Sequence, residues 1–164
     1  MTIRYDHLLG IPFVHGSDDC FGLARRFYQD NWGIKLTNYA RPDEWWDKGM
    51  DLYMQYFIKE GFYAIDVNPR EYLPGDGFLM NVISDKANHC AMYLGDGKIL
   101  HHRYGRLSEV EAYDQGLCRR TLAVLRHKQV VIAPSELRTF DLMEALPPQM
   151  RQALSEAEQQ VRGR

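Results

Sequence analysis

Apolar residues recur at helical spacing directly after a polar turn near the start of the chain. Those apolar positions are Phe21, Leu23, Ala24, Phe27 and Tyr28. The segment before them, 15–19, ends in Ser and Asp residues that cap helices, so the pattern predicts a helix over about 19–32. The apolar segment 8–14 carries Gly10 and Pro12, which predicts an extended lead-in and not a helix.

Beyond the first helix, the pattern changes to shorter apolar runs separated by turns. Residues 42–60 are predicted to form a second helical region that ends at Gly61. The runs that predict strands are 62–67, 78–82, 89–94, 98–102 and 119–125. Asp96-Gly97 lies between two of these runs and is the strongest hairpin signal in the chain. A helix followed by sequential strands indicates an α+β domain with an antiparallel sheet.

The last part of the chain differs in character from the rest. Ser135 can cap a short helix, Pro147-Pro148 interrupts it, and 149–161 has the pattern of a charged helix with a narrow apolar stripe. We therefore predict a domain over 1–133 and a C-terminal helical extension over 134–164. Two interpretations of the extension stay open: it docks onto a partner protein, or it is a loosely attached terminal helix.

Length and charge exclude several classes of protein. The chain has 164 residues and a net charge of −2, which fits one domain and predicts no affinity for nucleic acid. It contains no run of about 20 apolar residues, so we expect no stable membrane insertion. Residues 1–7 lack the apolar run of a secretory signal, and the three cysteines are widely spaced. We expect folding in a reducing cytosol, without a disulfide framework.

One cysteine occupies a position that favours reactivity. Cys20 lies in the first turn of the predicted helix, where the helix dipole stabilises a thiolate. The free backbone N–H groups of that turn can also bind an oxyanion. The alternative is that Cys20 is an ordinary buried core cysteine.

A thiolate nucleophile needs a histidine base, and the predicted hairpin offers several. His89 opens one strand, and the pair His101-His102 closes the other. With a two-residue turn at 96–97, His102 would pair with Ala91 and share the face of His89. With a three-residue loop over 95–97, His101 would take that place. The residue pattern alone leaves both registers open.

The same residue types raise the possibility of a metal site. The candidate ligands are His15, His89, Cys90, His101 and His102. Neighbouring residues of a strand point to opposite faces, so at most one member of each adjacent pair could join a single site. We therefore expect no metal, and no other cofactor is implied.

The motifs together resemble the NlpC-like family of cell-wall cysteine peptidases over roughly residues 5–126. They are Asp19-Cys20-Phe21-Gly22-Leu23 and the run from His89 to Gly97, with His101 twelve positions after His89. The resemblance implies a papain-like fold with Cys20 as nucleophile, His89 as base and His101 as the group that orients His89. It also implies that Asp19 caps the helix or contacts a substrate amine. Many members carry a tyrosine where this chain has Leu8, so we predict that Tyr5 or backbone groups take its place.

The opening residues and the first helix are similar to the phage tail-assembly branch of that family. The implied substrate is the peptidoglycan stem peptide, cut at the γ-D-glutamyl–diaminopimelate bond. The implied partners are other phage tail-tip proteins, with assembly in the host cytoplasm and a final location in the virion. Two alternatives stay open: a structural tail-tip component with an idle site, and a thiol acyltransferase or amidase on the same fold.

Overall fold

The first helix forms where the apolar spacing predicts it. In the computed structural model, which describes residues 3–132, helix α1 spans Cys20–Trp32. The Asp19 carboxylate accepts a hydrogen bond from the Gly22 N–H and so caps the helix start. At the other end, Gly33 has a φ of 70°, a left-handed conformation that glycine adopts without steric cost.

The second helical region is shorter than predicted. Helix α2 spans Leu52–Lys59, and residues 43–49 form turns, so the predicted helix over 42–60 is wrong in its first half. Glu44 and Gly49 have φ values of 51° and 74°, which no right-handed helix accommodates. The predicted stop is confirmed, because Gly61 follows the C-cap residue Glu60 with a φ of 97°.

Six strands form one fully antiparallel sheet, which confirms the predicted α+β class. The strands are β1 Phe62–Ile65, β2 Gly77–Met80, β3 His89–Gly95, β4 Lys98–His101, β5 Glu109–Ala112 and β6 Thr121–His127. Their order across the sheet is β1-β6-β2-β3-β4-β5. Strand β5 and the short helix α3, Gln115–Arg120, were not predicted. The sequence of β5, Glu-Val-Glu-Ala, lacks the apolar run that marked the other strands.

Apolar side chains cover both faces of this sheet. On one face, the apolar side of α1 packs against alternate strand residues, among them Leu79, Cys90, Met92, Leu100 and Leu125. On the other face, a smaller cluster joins the intervening residues to Leu117 of α3. No helix within residues 3–132 is long and apolar enough to cross a membrane.

Hydrogen bonds at the tight turn before β2 connect helix α1 to the sheet. The Tyr28 hydroxyl donates a hydrogen bond to the Gly75 carbonyl at 3.0 Å. The neighbouring Asp76 carboxylate is buried and accepts two hydrogen bonds of 2.8 Å from the Arg126 guanidinium. These contacts hold the helix that begins at Cys20 against the strands that carry the histidines.

Candidate active site

The first helix begins at the candidate nucleophile. Cys20 is 5% exposed, and its Sγ lies 3.1 Å from the hydroxyl oxygen of Tyr53, a buried residue of α2. Burial, together with the neighbouring Cys20, raises the pKa of the Tyr53 hydroxyl well above its ordinary value. Tyr53 therefore keeps its proton at neutral pH and donates it in a hydrogen bond to the sulfur.

The surroundings of Cys20 favour its thiolate form. A hydrogen bond with the Cys90 thiol, and then the hydrogen bond and charge of His89, lower the pKa of Cys20 well below its ordinary value. These effects outweigh burial, which acts in the opposite direction. The pKa of Cys90 is raised by burial and by Cys20, so Cys90 stays protonated and acts as the donor. The position at a helix N-terminus adds to the stabilisation of the thiolate.

The hairpin register brings His101, and not His102, to His89. The two-residue turn at Asp96-Gly97 is present, because Gly95 pairs with Lys98. A β-bulge between Tyr93 and Gly95 then shifts the register by one residue, so that His101 pairs with Ala91. The Nε2 atom of His89 lies 3.3 Å from the Nδ1 atom of His101. His101 therefore pairs with Ala91, as expected for a three-residue loop, although a two-residue turn and a bulge produce this pairing.

The environment of His101 keeps its ring neutral. Burial, helped by the charges of His89 and Arg103, lowers the pKa of His101 to about 3. A neutral imidazole carries one N–H and offers one acceptor nitrogen. Since His101 Nδ1 faces His89, it can accept a hydrogen bond from the His89 Nε2–H. His101 is therefore suited to orienting His89 and to stabilising its protonated form.

His102 points away from this pair. Its ring is buried, its Nε2 donates to the Arg106 carbonyl at 3.1 Å, and it packs edge-on against Phe13 at 5.2 Å between ring centroids. Burial lowers its pKa. These contacts fit a residue that holds the loop after β4 in place.

Asp19, expected either to cap the helix or to contact a substrate amine, caps the helix in this structure. It is 2% exposed and accepts hydrogen bonds from the backbone N–H groups of Gly16 and Gly22 at 2.8 Å. It also accepts two hydrogen bonds, of 3.0 and 3.2 Å, from the buried guanidinium of Arg41. These four hydrogen bonds occupy the carboxylate, and a contact between Asp19 and a substrate amine stays a prediction.

The structure brings to the site three residues that the residue pattern did not place there: Tyr53, Cys90 and Arg41. Tyr53 lies in the segment predicted as one long helix, and Arg41 directly precedes that segment, so both are far from Cys20 along the chain. Tyr5 is partly buried and packs against the core, and its role in substrate binding stays a prediction.

Within residues 3–132, one group of side chains has the spacing of a metal site: His101, Glu109 and Glu111. Both carboxylates already have a cationic partner, because the Arg103 guanidinium lies 2.7 Å from Glu109 and 3.3 Å from Glu111. His15, another candidate ligand, lies instead 2.8 Å from the Arg41 carbonyl oxygen.

An open cavity of about 550 Å³ lies beside the histidines and not over Cys20. Its lining includes Phe13, Arg106 and Glu109, and the Glu109 carboxylate is 4.0 Å from His101 Nε2. The cavity offers an aromatic ring and both signs of charge next to the candidate catalytic residues.

Comparison with known proteins agrees with this geometry. Residues 10–126 match the model of the NlpC/P60 family. The chain is 38% identical over 122 residues to the tail tip assembly protein K of Escherichia phage lambda, covering 74% of this chain and 60% of the relative. It is 35% identical over 125 residues to the protein of the same name from Escherichia phage N15, covering 75% of this chain and 50% of the relative. The chain thus spans about half to three fifths of the length of these relatives.

A solved structure supports the fold. The crystal structure of a lipoprotein-like NLP/P60 family protein from Staphylococcus aureus aligns with a TM-score of 0.50 and 19% identity, over 74% of this chain and 38% of the other. At that identity the likeness concerns the fold alone, a helix packed on an antiparallel sheet of the papain-like kind. The match of the family model over most of the chain shows that this protein belongs to the NlpC/P60 family.

Proposed function

We propose that this chain is a cysteine peptidase that hydrolyses peptide bonds in the stem peptides of peptidoglycan. Cys20 is the nucleophile, His89 is the general base and acid, and His101 orients His89. The observation that carries the proposal is the 3.3 Å contact between His89 and His101 beside a cysteine whose pKa is lowered. A thiolate, a histidine and an orienting group are the components that acyl transfer by a thiol requires.

In the proposed reaction, the Cys20 thiolate attacks the scissile carbonyl carbon while His89 is protonated. The Cys20 backbone N–H at the start of α1 and the Tyr53 hydroxyl are positioned to stabilise the oxyanion. His89 then gives its proton to the leaving amine, the C–N bond breaks, and a thioester to Cys20 remains. His89 next takes a proton from water, the resulting hydroxide attacks the thioester, and Cys20 leaves as a thiolate.

The branch of the family suggests where this reaction occurs. Both phage relatives are named for tail tip assembly. By analogy, the chain assembles with other phage tail-tip proteins in the host cytoplasm, is carried in the virion and acts on the host cell wall. The bond that we propose is the γ-D-glutamyl–diaminopimelate bond of the stem. The cavity beside the histidines, lined by Phe13, Arg106 and Glu109, is suited to the amine and carboxylate groups of such a stem.

The domain boundary is part of the same proposal. The catalytic domain covers 1–133, and the extension 134–164 attaches it to other tail proteins. The extension lies outside the described residues, so the proposal rests on its sequence pattern.

The direct test is digestion of purified peptidoglycan by the full-length protein, with mass spectrometry of the released fragments. Wall with diaminopimelate in the stem should yield fragments that end at γ-D-glutamate, whereas wall with lysine at that position tests specificity. Fragments cut elsewhere would show that the protein hydrolyses a different amide bond of peptidoglycan. Acyl transfer to an added amine in place of hydrolysis would indicate a transferase. No release of fragments by a folded protein would favour the structural tail-tip alternative.

A further inference from the structure

A chain of buried polar contacts continues beyond His101. Its Nε2 atom, the ring nitrogen that does not face His89, lies 3.1 Å from Glu111 Oε2. The His101 side chain is fully buried, and neither of these two atoms has a well-angled hydrogen bond to another described group. A small rotation of the Glu111 carboxylate would satisfy both atoms at once, as buried polar groups require.

The contact between the two histidines restricts where His101 can carry its proton. Protonated His89 has an N–H at Nε2 and needs an acceptor, so His101 Nδ1 must be unprotonated. The single proton of neutral His101 must then lie on Nε2, facing Glu111. With the opposite tautomer, two N–H groups would face each other at the 3.3 Å contact between the rings. A carboxylate at Nε2 therefore favours the tautomer that the proposed chemistry needs.

We propose that Glu111 is a positioning residue that selects the Nε2–H tautomer of His101 and so stabilises protonated His89. The polar chain of the site then runs Cys20, His89, His101, Glu111. The inference rests on the roles proposed above for the first three residues, and it adds a carboxylate from β5, a strand outside the recognised motifs.

The other charged groups around His101 have different tasks. Glu109 pairs with His101 across the β4–β5 ladder, but its carboxylate is 4.0 Å from Nε2, beyond hydrogen-bond reach. It is held instead by Arg103, which lies 2.7 Å away and lowers the pKa of Glu109 through that hydrogen bond. Arg103 also approaches Glu111 at 3.3 Å and offsets part of the repulsion between the carboxylates. Glu109 is thus a matched control: same strand, same face, same sign of charge.

The test measures the rate of iodoacetamide alkylation of Cys20 against pH, followed by mass spectrometry of the peptide that contains Cys20. Alkylation reports thiolate formation and needs no wall substrate. The test therefore remains valid even if the protein does not hydrolyse the proposed substrate. Without Glu111, protonated His89 loses part of its stabilisation, and the thiolate it supports forms only at higher pH. Glu111→Ala should move the acid limb of the profile up by about one pH unit and slow peptide-bond hydrolysis roughly tenfold.

Two further variants make the outcome decisive. Glu111→Gln keeps an acceptor oxygen without the charge, so it should give a smaller shift in the same direction, and it decides the matter if Glu111→Ala does not fold. Glu109→Ala is compared by alkylation alone, because Glu109 also lines the proposed substrate cavity, and it should leave the acid limb of the alkylation profile in place. Nitrogen NMR of the His101 ring should show a proton on Nε2 in the native protein and a mixture of tautomers in Glu111→Ala. The proposal would be overturned if the Glu111 variants kept the native acid limb of the alkylation profile and the native His101 tautomer. It would also be overturned if Glu109→Ala moved that acid limb as far as Glu111→Ala does.

Discussion

The chemistry of the site depends on which of two neighbouring histidines faces His89. A single β-bulge in β3 decides this, because it offsets the hairpin register by one residue and brings His101 opposite Ala91. His102 consequently lies against Phe13 and the loop after β4. Bulges leave little trace in residue types, so the sequence could name both histidines but could choose between them only through the family resemblance.

His101→Ala should therefore reduce kcat by at least about a hundredfold, because His89 loses the group that orients it. His102→Ala should reduce thermal stability through lost packing, with a much smaller effect on kcat. Rates on purified wall and melting temperatures of both variants check this. A hundredfold loss in His102→Ala with native rates in His101→Ala would mean that the roles are reversed.

Cys90 is a second feature at the scale of single residues. Its position along the chain does not reveal its role. The strand pattern places it on the face opposite His89, and in the structure it lies beside Cys20 and lowers the pKa of that thiol. The same holds for Tyr53, which reaches the sulfur from a helix that begins 32 residues after Cys20. Such contacts depend on packing between distant segments, which local patterns do not encode.

Cys90→Ala should raise the pKa of Cys20, because the donor that stabilises the thiolate is lost. At a fixed acidic pH, the thiolate fraction and the alkylation rate of Cys20 should both fall. Cys90→Ser keeps a hydroxyl donor and should behave more like the native protein. Equal alkylation profiles for the alanine variant and the native protein would contradict the donor role of Cys90.

At the scale of elements, the first turn of α1, which carries Cys20, lies directly against the backbone of the loop before it. Gly22 is the position that permits this, because a Cβ there would overlap the Ser17 carbonyl oxygen. The buried ion pair of Asp19 and Arg41 stabilises the same turn. The helix and its cap follow from apolar spacing and capping residues. The Arg41 contact joins Asp19 to a residue 22 positions later, which a local pattern does not encode.

Gly22→Ala should destabilise the fold by about 1–3 kcal/mol, although alanine favours helices, because backbone must shift to relieve the overlap. The same shift should displace Cys20 and lower kcat. Gly116→Ala in α3 is the comparison variant. Its added Cβ lies 3.2 Å from the Asp114 carboxylate that caps α3, a much milder contact than the one at Gly22, so it should cost less stability. Denaturant unfolding of both variants tests the difference, and a fully active, native-like Gly22→Ala would contradict the account.

For the whole molecule, the described residues close a core on both faces of the sheet. The class of the fold and most of its strands could be predicted, because each apolar run buries a face. Strand β5 could not, since its outer position on the sheet demands little apolar surface. That strand nevertheless supplies Glu109 and Glu111 beside His101.

A chain that ends at residue 133 should therefore fold and hydrolyse wall at close to the native rate, but should not enter assembled particles. Circular dichroism and wall digestion test the first part, and probing purified virions tests the second. Normal incorporation of the shortened chain would contradict the anchoring role of 134–164. Loss of folding or of activity would show that the extension belongs to the catalytic domain.

The most direct test of the central claim is wall hydrolysis by Cys20→Ser, compared with Cys118→Ser, which changes an exposed free thiol. A serine hydroxyl has nearly the shape of a thiol but hardly ionises at neutral pH, so the first variant should fold normally and lose measurable release of stem fragments. The second should digest wall at the native rate. Native-rate digestion by folded Cys20→Ser would contradict the thiol mechanism and, with it, the proposed function of the site.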